Sequence, residues 1–254
     1  MTPYYEDSLV TLYHADCAEV LPSMADVDLI FTSPPYNLNC TTKPGGGFDG
    51  LRKGTARAGK WHGGDLASGY ADHGDDMPMP EYEEWQRDVL RACWATLNDH
   101  GAIFYNHKPR PWLGEVWLPI RLNPELPLRQ VVIWARAGGI NFSPSHYCPT
   151  HEWLLVLAKP EFRLKSKAAS GLGDVWYVPQ EASEHPAPFP LGLPARAIES
   201  VAPSLVLDPF AGSGTTLRAA KDAGVRAVGI ELSEKYCEMA ALRLGQESLF
   251  GAAA

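Results

Sequence analysis

Nine consecutive residues constrain the fold more than any other stretch: Asp208-Pro209-Phe210-Ala211-Gly212-Ser213-Gly214-Thr215-Thr216. Ser204–Leu207 before them reads as a buried strand by composition. A helix follows to Ala223, with Gly224 placed as its C-cap. Arg226–Ile230 reads as the next strand, ending at Glu231, and Ser233–Leu244 as a helix capped by Ser233. Strand, glycine-rich turn, helix and strand in that order predict an α/β chain with a cofactor cradle at a sheet switch point. Glycines let the backbone approach a ligand closely, and an acid ending the following strand, Glu231, stands where ribose hydroxyls are held. The turn is not a phosphate loop, because Gly-Lys-Ser/Thr is missing. Nor is it GxGxxG, because Gly212 and Gly214 are followed by Thr215, Thr216 and Leu217.

A second strand-to-turn junction lies near the N-terminus. The apolar run Leu29-Ile30-Phe31 leads through Thr32 into Ser33-Pro34-Pro35-Tyr36. Each proline fixes its own φ and holds the residue before it extended, so this turn is stiff and projects from a strand end. It presents one hydroxyl, free carbonyls and a flat ring. A planar ring with an exocyclic amine fits those parts: it stacks on Tyr36 while Ser33 and the Pro34 carbonyl accept from the amine.

Other elements follow from pattern. Ser8–His14 reads as a strand ending at Ala15-Asp16, residues 17–24 as a short helix, and Val27–Phe31 as the next strand. Residues 38–79 lack periodicity, are rich in glycine and carry Lys43, Arg52, Lys53, Arg57 and Lys60 with Asp49 as the sole acid among them. They are expected to form an arm or lid on a single catalytic domain spanning 1–254. Pro80–Leu97 reads as a helix closed by Gly101, with Tyr82, Trp85, Val89, Cys93 and Leu97 on one face. Ala102–Asn106 is expected as a strand, 109–122 as a helix, and Gln130–Ala135 and Glu152–Ala158 as strands.

Composition bounds the function classes. At 254 residues and 45% hydrophobic content the chain can bury a sizeable core. It carries no basic-then-apolar leader and no apolar run of membrane-spanning length, so the cytoplasm is the expected location and no membrane partner is expected. Five scattered cysteines form no CxxC pair, so neither a metal site nor a disulfide framework is expected. A net charge of −8 argues mildly against nucleic acid, yet the local basic clusters remain compatible with DNA.

With both turns in view, the chain resembles the S-adenosylmethionine-dependent DNA amino-methyltransferases of the permuted β group. In that group the Ser/Asp/Asn-Pro-Pro-Tyr motif precedes Asp-Pro-Phe-x-Gly-x-Gly-Thr, the order found here. Resemblance extends from about Leu9 to Leu244 apart from the glycine-rich arm. It implies a Rossmann-like class I methyltransferase fold: a seven-stranded, mostly parallel sheet with helices on both faces and a circularly permuted order. It also implies that Asp208, Phe210, Gly212, Gly214 and Thr215 line S-adenosyl-L-methionine and that Glu231 holds its ribose. Asp16 would meet the adenine amine, and Phe189, with His185 beside it, would lie near the methionine part.

The resemblance makes Ser33, Pro34, Pro35 and Tyr36 the catalytic turn. Hydrogen bonds to Ser33 and the Pro34 carbonyl would favour a pyramidal amine aimed at the methyl-sulfonium, and positioning would drive in-line displacement. The target base must be flipped from double-stranded DNA. Carbon-5 methylation is disfavoured, because no cysteine here follows a proline. Serine at the first motif position resembles the cytosine-N4 members, leaving adenine N6 as the alternative. RNA or protein methylation and an idle DNA- or cofactor-binding regulator are the remaining rivals. Relatives are often dimers, so a homodimer is an expected assembly, and a cognate restriction enzyme is an expected companion.

Overall fold

The computed structural model describes residues 1–37, 77–136, 144–180 and 189–246. In chain order its elements are β1 (Tyr5–Glu6), β2 (Val10–His14), α1 (Cys17–Val20), β3 (Val27–Thr32), α2 (Met79–Thr96) and β4 (Leu97–His107). Next come β5 (Arg110–Trp112), β6 (Glu115–Trp117), β7 (Leu128–Ala135), β8 (His151–Ala158), α3 (Lys167–Ser170) and β9 (Val175–Tyr177). The last are α4 (Gly192–Val201), β10 (Leu205–Asp208), α5 (Thr215–Asp222), β11 (Arg226–Glu231) and α6 (Glu234–Gly245).

Nine strands form one sheet in the order β1-β2-β11-β10-β3-β4-β8-β7-β9. Every pair from β2 to β4 is parallel, and β8 is antiparallel to both β4 and β7. The expected seven strands are the run from β2 to β7. The two- and three-residue strands β1 and β9 extend its edges. Residues of β3 alternate between two apolar layers: Leu29 and Phe31 join the layer of α4, α5 and α6, whereas Ile30 joins that of α1 and α2. The helix after β3 and the helix after β10 therefore cover opposite faces. β3 and β10 are neighbours, with Leu207 beside Ile30, so a crevice opens between their carboxyl ends.

α2 has proline in its first turn, Glu81 near the positive end of its dipole, and a buried stripe of Tyr82, Gln86, Val89, Leu90 and Cys93. The buried face thus includes Glu83 and Gln86, and Trp85 is only half-buried. Both polar side chains are satisfied: Glu83 Oε1 accepts from Trp117 Nε1 at 2.8 Å, and Gln86 Oε1 accepts from the Tyr105 hydroxyl. The helix also ends earlier than its periodicity implies. Leu97 is its extended C-cap, and Gly101 sits within β4 at a register shift against β3. A Cβ there would meet the Val27 carbonyl at 2.8 Å, so glycine serves a strand irregularity and not a helix end. Ser233 occupies the N-cap of α6, but its side chain makes no capping hydrogen bond.

The helix expected over 109–122 is absent. β5 and β6 form an antiparallel hairpin with Trp112 opposite Glu115, and a 3-10 turn covers Pro119–Leu122. The two loop residues, Leu113 and Gly114, have φ of 50° and 85°, the left-handed pair that reverses a hairpin and cannot occur in a right-handed helix. Among the described residues, no helix is long and apolar enough to cross a membrane.

Candidate active site

Five parallel strands bring their carboxyl ends to one edge of the sheet. Along that edge stand Asp16 after β2, Glu231 ending β11, the 208–214 turn after β10, Ser33–Tyr36 after β3, and Asn106-His107 ending β4. Parallel sheets bind ligands there, because loops converge and helix N-termini face the crevice.

The glycine-rich turn is fixed by its neighbours. Gly212 N donates to Glu231 Oε2 at 2.7 Å, Ser233 N donates to Glu231 Oε1 at 2.9 Å, and Ala211 N donates to the Ile230 carbonyl at 2.9 Å. Burial pushes the Glu231 carboxyl up from its usual range. Gly214 has φ 79°, and a Cβ on it would meet Ala240 Cβ at 2.9 Å, so only glycine lets the turn seat against α6. Phe210 meets Trp85 edge-on at 5.8 Å.

Asp208 is fully buried. Its Oδ1 accepts from Thr32 Oγ1 at 2.7 Å and from Phe210 N at 3.1 Å, and its Oδ2 has no partner among the described residues. Burial pushes its carboxyl up to about 6. Because Thr32 directly precedes Ser33, the Asp208 carboxylate ties the two turns together. An unsatisfied buried carboxylate oxygen is costly and fits a ligand with an N–H or ammonium donor.

The remaining expected cofactor residues are placed less uniformly. Asp16 sits at the edge but its Oδ1 caps α1 by accepting from Ala18 N at 2.9 Å. Phe189 packs against Phe31 with ring centroids 5.4 Å apart, beside the crevice. Thr215 is turned away from it: its hydroxyl accepts from Arg243 Nη1 at 2.7 Å, which anchors α5 to α6. His185 lies outside the described residues. Glu231, Asp208, Phe210, Gly212, Gly214, Asp16 and Phe189 could hold a nucleoside-bearing cofactor along this stretch of the edge. Among the described residues no group of three His, Cys, Asp or Glu could hold a metal ion.

Ser33 and Tyr36 belong to a four-residue hydrogen-bond network. The Tyr36 hydroxyl donates to Glu152 Oε2 at 2.9 Å, and Asn106 Nδ2 lies 2.8 Å from the Tyr36 hydroxyl and 2.9 Å from Glu152 Oε2. Ser33 Oγ lies 2.9 Å from the Tyr36 hydroxyl. Since Tyr36 has one proton and Glu152 takes it, Ser33 donates to Tyr36 and keeps its lone pairs for an incoming donor. Asn106 Nδ2 approaches Ser33 only at 3.3 Å. Glu152 is held by Arg136, Nη1 to Oε1 at 3.2 Å.

Behind this network the turn is braced. Tyr82 donates to the Pro35 carbonyl at 2.9 Å, as Gln86 Nε2 does at 3.2 Å. Among the described residues nothing donates to the Pro34 carbonyl, which stays available beside Ser33. His107 packs on Tyr36 with centroids 4.2 Å apart and an interplanar angle of 33°. Burial pulls its pKa down to about 3, so it is a neutral ring. The Asn37 amide binds both backbone groups of Met77 at 2.8 Å, and Arg110 Nη1 donates to the Tyr36 and Asn37 carbonyls at 2.7 and 3.0 Å. Chain residues 37 and 77 are thus joined at the turn's foot. Sequence reasoning missed Glu152, Asn106, His107, Tyr82 and Arg110. Asn106-His107 did carry a signal, because polar residues end an apolar strand there as Ser33 does after β3.

Comparison with known proteins fits this geometry. The DNA methylase model covering N6 and N4 amino-methyltransferases matches residues 27–242. The type II methyltransferase M.ScaI of Streptomyces caespitosus is 30% identical, covering 97% of this chain and 84% of that protein. The DNA adenine methyltransferase YhdJ of Escherichia coli (strain K12) is 24% identical, covering 95% and 85%. Among solved structures, the cytosine-N4-specific PvuII DNA methyltransferase superposes with a TM-score of 0.71 at 19% identity, covering 97% of this chain and 90% of that one. A DNA modification methylase of Thermus thermophilus, TTHA0409, complexed with S-adenosyl-L-methionine, superposes at 0.60 with 25% identity, covering 96% and 99%. The chain belongs to the N6/N4 DNA methylase family and is an S-adenosyl-L-methionine-dependent DNA amino-methyltransferase.

Proposed function

We propose that this enzyme methylates the N4 amine of a cytosine flipped out of double-stranded DNA. The observation that carries this reading is Ser33 Oγ, a neutral acceptor oriented by Tyr36 and Glu152 and set beside the Pro34 carbonyl. Two acceptors on one side of an exocyclic amine draw its hydrogens toward them, which turns the nitrogen lone pair to the opposite side. The cofactor, when bound, supplies an electrophilic methyl group. Asp208, Phe210, Gly212, Gly214, Glu231, Asp16 and Phe189 are the residues we assign to hold it. Thr215 acts through the packing of α5 on α6.

Tyr36 has two tasks in this reading. Its ring, backed by neutral His107, offers a platform for the flipped base, and its hydroxyl orients Ser33. Pro34 and Pro35 keep the turn extended, and the donors from Tyr82 and Gln86 stop the Pro35 carbonyl from moving. Adenine N6 is the second reading, favoured by the named activity of the Escherichia coli relative. The basic segment 38–79 and the loops of 107–150 are proposed to read the DNA. Deleting 45–70 is expected to abolish site-specific methylation, and retention of wild-type specificity would remove the segment from recognition.

The test is mass spectrometry of nucleosides from unmethylated plasmid DNA treated with the protein and S-adenosylmethionine. N4-methylcytosine is expected. N6-methyladenine would overturn the base assignment and leave the family intact. No methylated nucleoside would overturn the DNA substrate.

A further inference from the structure

Resting on that reading, we infer that the β5–β6 hairpin is a DNA wedge whose tip residue Leu113 enters the duplex where the target base leaves. The hairpin springs directly from His107 at the carboxyl end of β4, so it rises from the edge that carries Ser33. Its root is bolted to the catalytic turn. Arg110 binds the Tyr36 and Asn37 carbonyls, and its guanidinium lies 5.2 Å from the centre of the Trp117 ring. Trp117 is 1% exposed and donates to Glu83.

The outer half is the opposite in character. Leu113 is 82% exposed, Val116 61% and Trp112 40%. Three apolar side chains on a narrow ribbon, with Lys108 and Arg110 at its base, suit a duplex: the cations face phosphates and the apolar tip faces stacked bases. The backbone supplies a second, independent observation. Leu113 adopts φ 50° in a two-residue turn whose left-handed positions favour Asn, Asp or Gly. A leucine there strains the turn and is mostly exposed, so its side chain acts on something outside the chain. Filling the gap left by an extruded base would hold that base in the crevice against Tyr36.

The test uses the full-length protein and a duplex oligonucleotide carrying the site found methylated in plasmid DNA, with 2-aminopurine at the target position. Leu113→Asn suits the left-handed backbone, so the variant folds, and thermal melting confirms it. Wild type is expected to raise 2-aminopurine emission severalfold, and L113N to lose most of that rise. Methylation of the matched duplex is expected to fall about tenfold in kcat/KM, and that of a duplex with an abasic site opposite the target less than about twofold. Leu113→Met, which keeps a long apolar side chain, is expected to behave as wild type. Equal behaviour of L113N and wild type on both duplexes would overturn the wedge, as would equal loss on both. A changed oligomeric state in L113N with flipping intact would assign the hairpin to a subunit contact instead. Failure of the wild-type protein to methylate any DNA would overturn the amino-methyltransferase reading together with the wedge.

Discussion

At the residue scale, each catalytic group is defined by what its partners leave free. Ser33 is an acceptor because Tyr36 and Glu152 take up its proton's direction, a relation linking residues over a hundred positions apart in sequence. Tyr36→Phe keeps the ring and removes the hydroxyl. It is expected to lower kcat about tenfold to a hundredfold with KM for DNA little changed, as steady-state kinetics would show. Glu152→Gln leaves Arg136 without its carboxylate and is expected to cost about 3 kcal/mol of stability by chemical denaturation.

Asp208 carries a pH prediction. Its folded pKa of about 6 lies above the ordinary 3.8, so between those values the folded state binds more protons than the unfolded chain. Stability then falls as pH rises from 4 to 6 and levels off above, a decline on the order of 2–3 kcal/mol. Asp208→Asn is expected to remove that part of the decline in melts across pH 4–7 while weakening S-adenosylmethionine binding by calorimetry. An unchanged pH dependence would contradict the assignment. The motif named Asp208 as a ligand-lining residue. Its bond to Thr32 could not be read from the chain, because it depends on β3 and β10 being neighbours.

At the element scale, what was legible depended on whether local pattern and tertiary setting agree. β3, β10 and β11 are apolar runs between turn signals, and they form where expected. α2 was legible as a helix, but its buried face was not, because Glu83 and Gln86 are buried only through partners supplied by Trp117 and Tyr105. The 110–117 hairpin was illegible for a different reason: Leu-Gly is not a usual sequence for a left-handed two-residue turn. That mismatch has a measurable consequence. Leu113→Asn is expected to raise stability by about 1 kcal/mol in urea titration, since the strain is relieved and little burial is lost. Gly101→Ala is expected to destabilise, because its Cβ would press on the Val27 carbonyl and disturb the β3–β4 register beside the site.

At the scale of the whole molecule, the permuted order works because the sheet ignores it. β2 and β3 come from the N-terminal region and β10 and β11 from the C-terminal region, yet they alternate within one parallel run. Folding therefore assembles the site only when both ends of the chain meet, and the bond between Thr32 and Asp208 marks that junction. The order of the two motifs identified this arrangement from sequence, and the Glu152 strand on the antiparallel side completes it. The most direct measurement is the single-turnover rate of methyl transfer from labelled S-adenosylmethionine to plasmid DNA by Ser33→Ala. A loss of about a hundredfold or more with unchanged cofactor affinity is the predicted result. Transfer at the wild-type rate would contradict the assignment of Ser33 as the acceptor at the reacting amine.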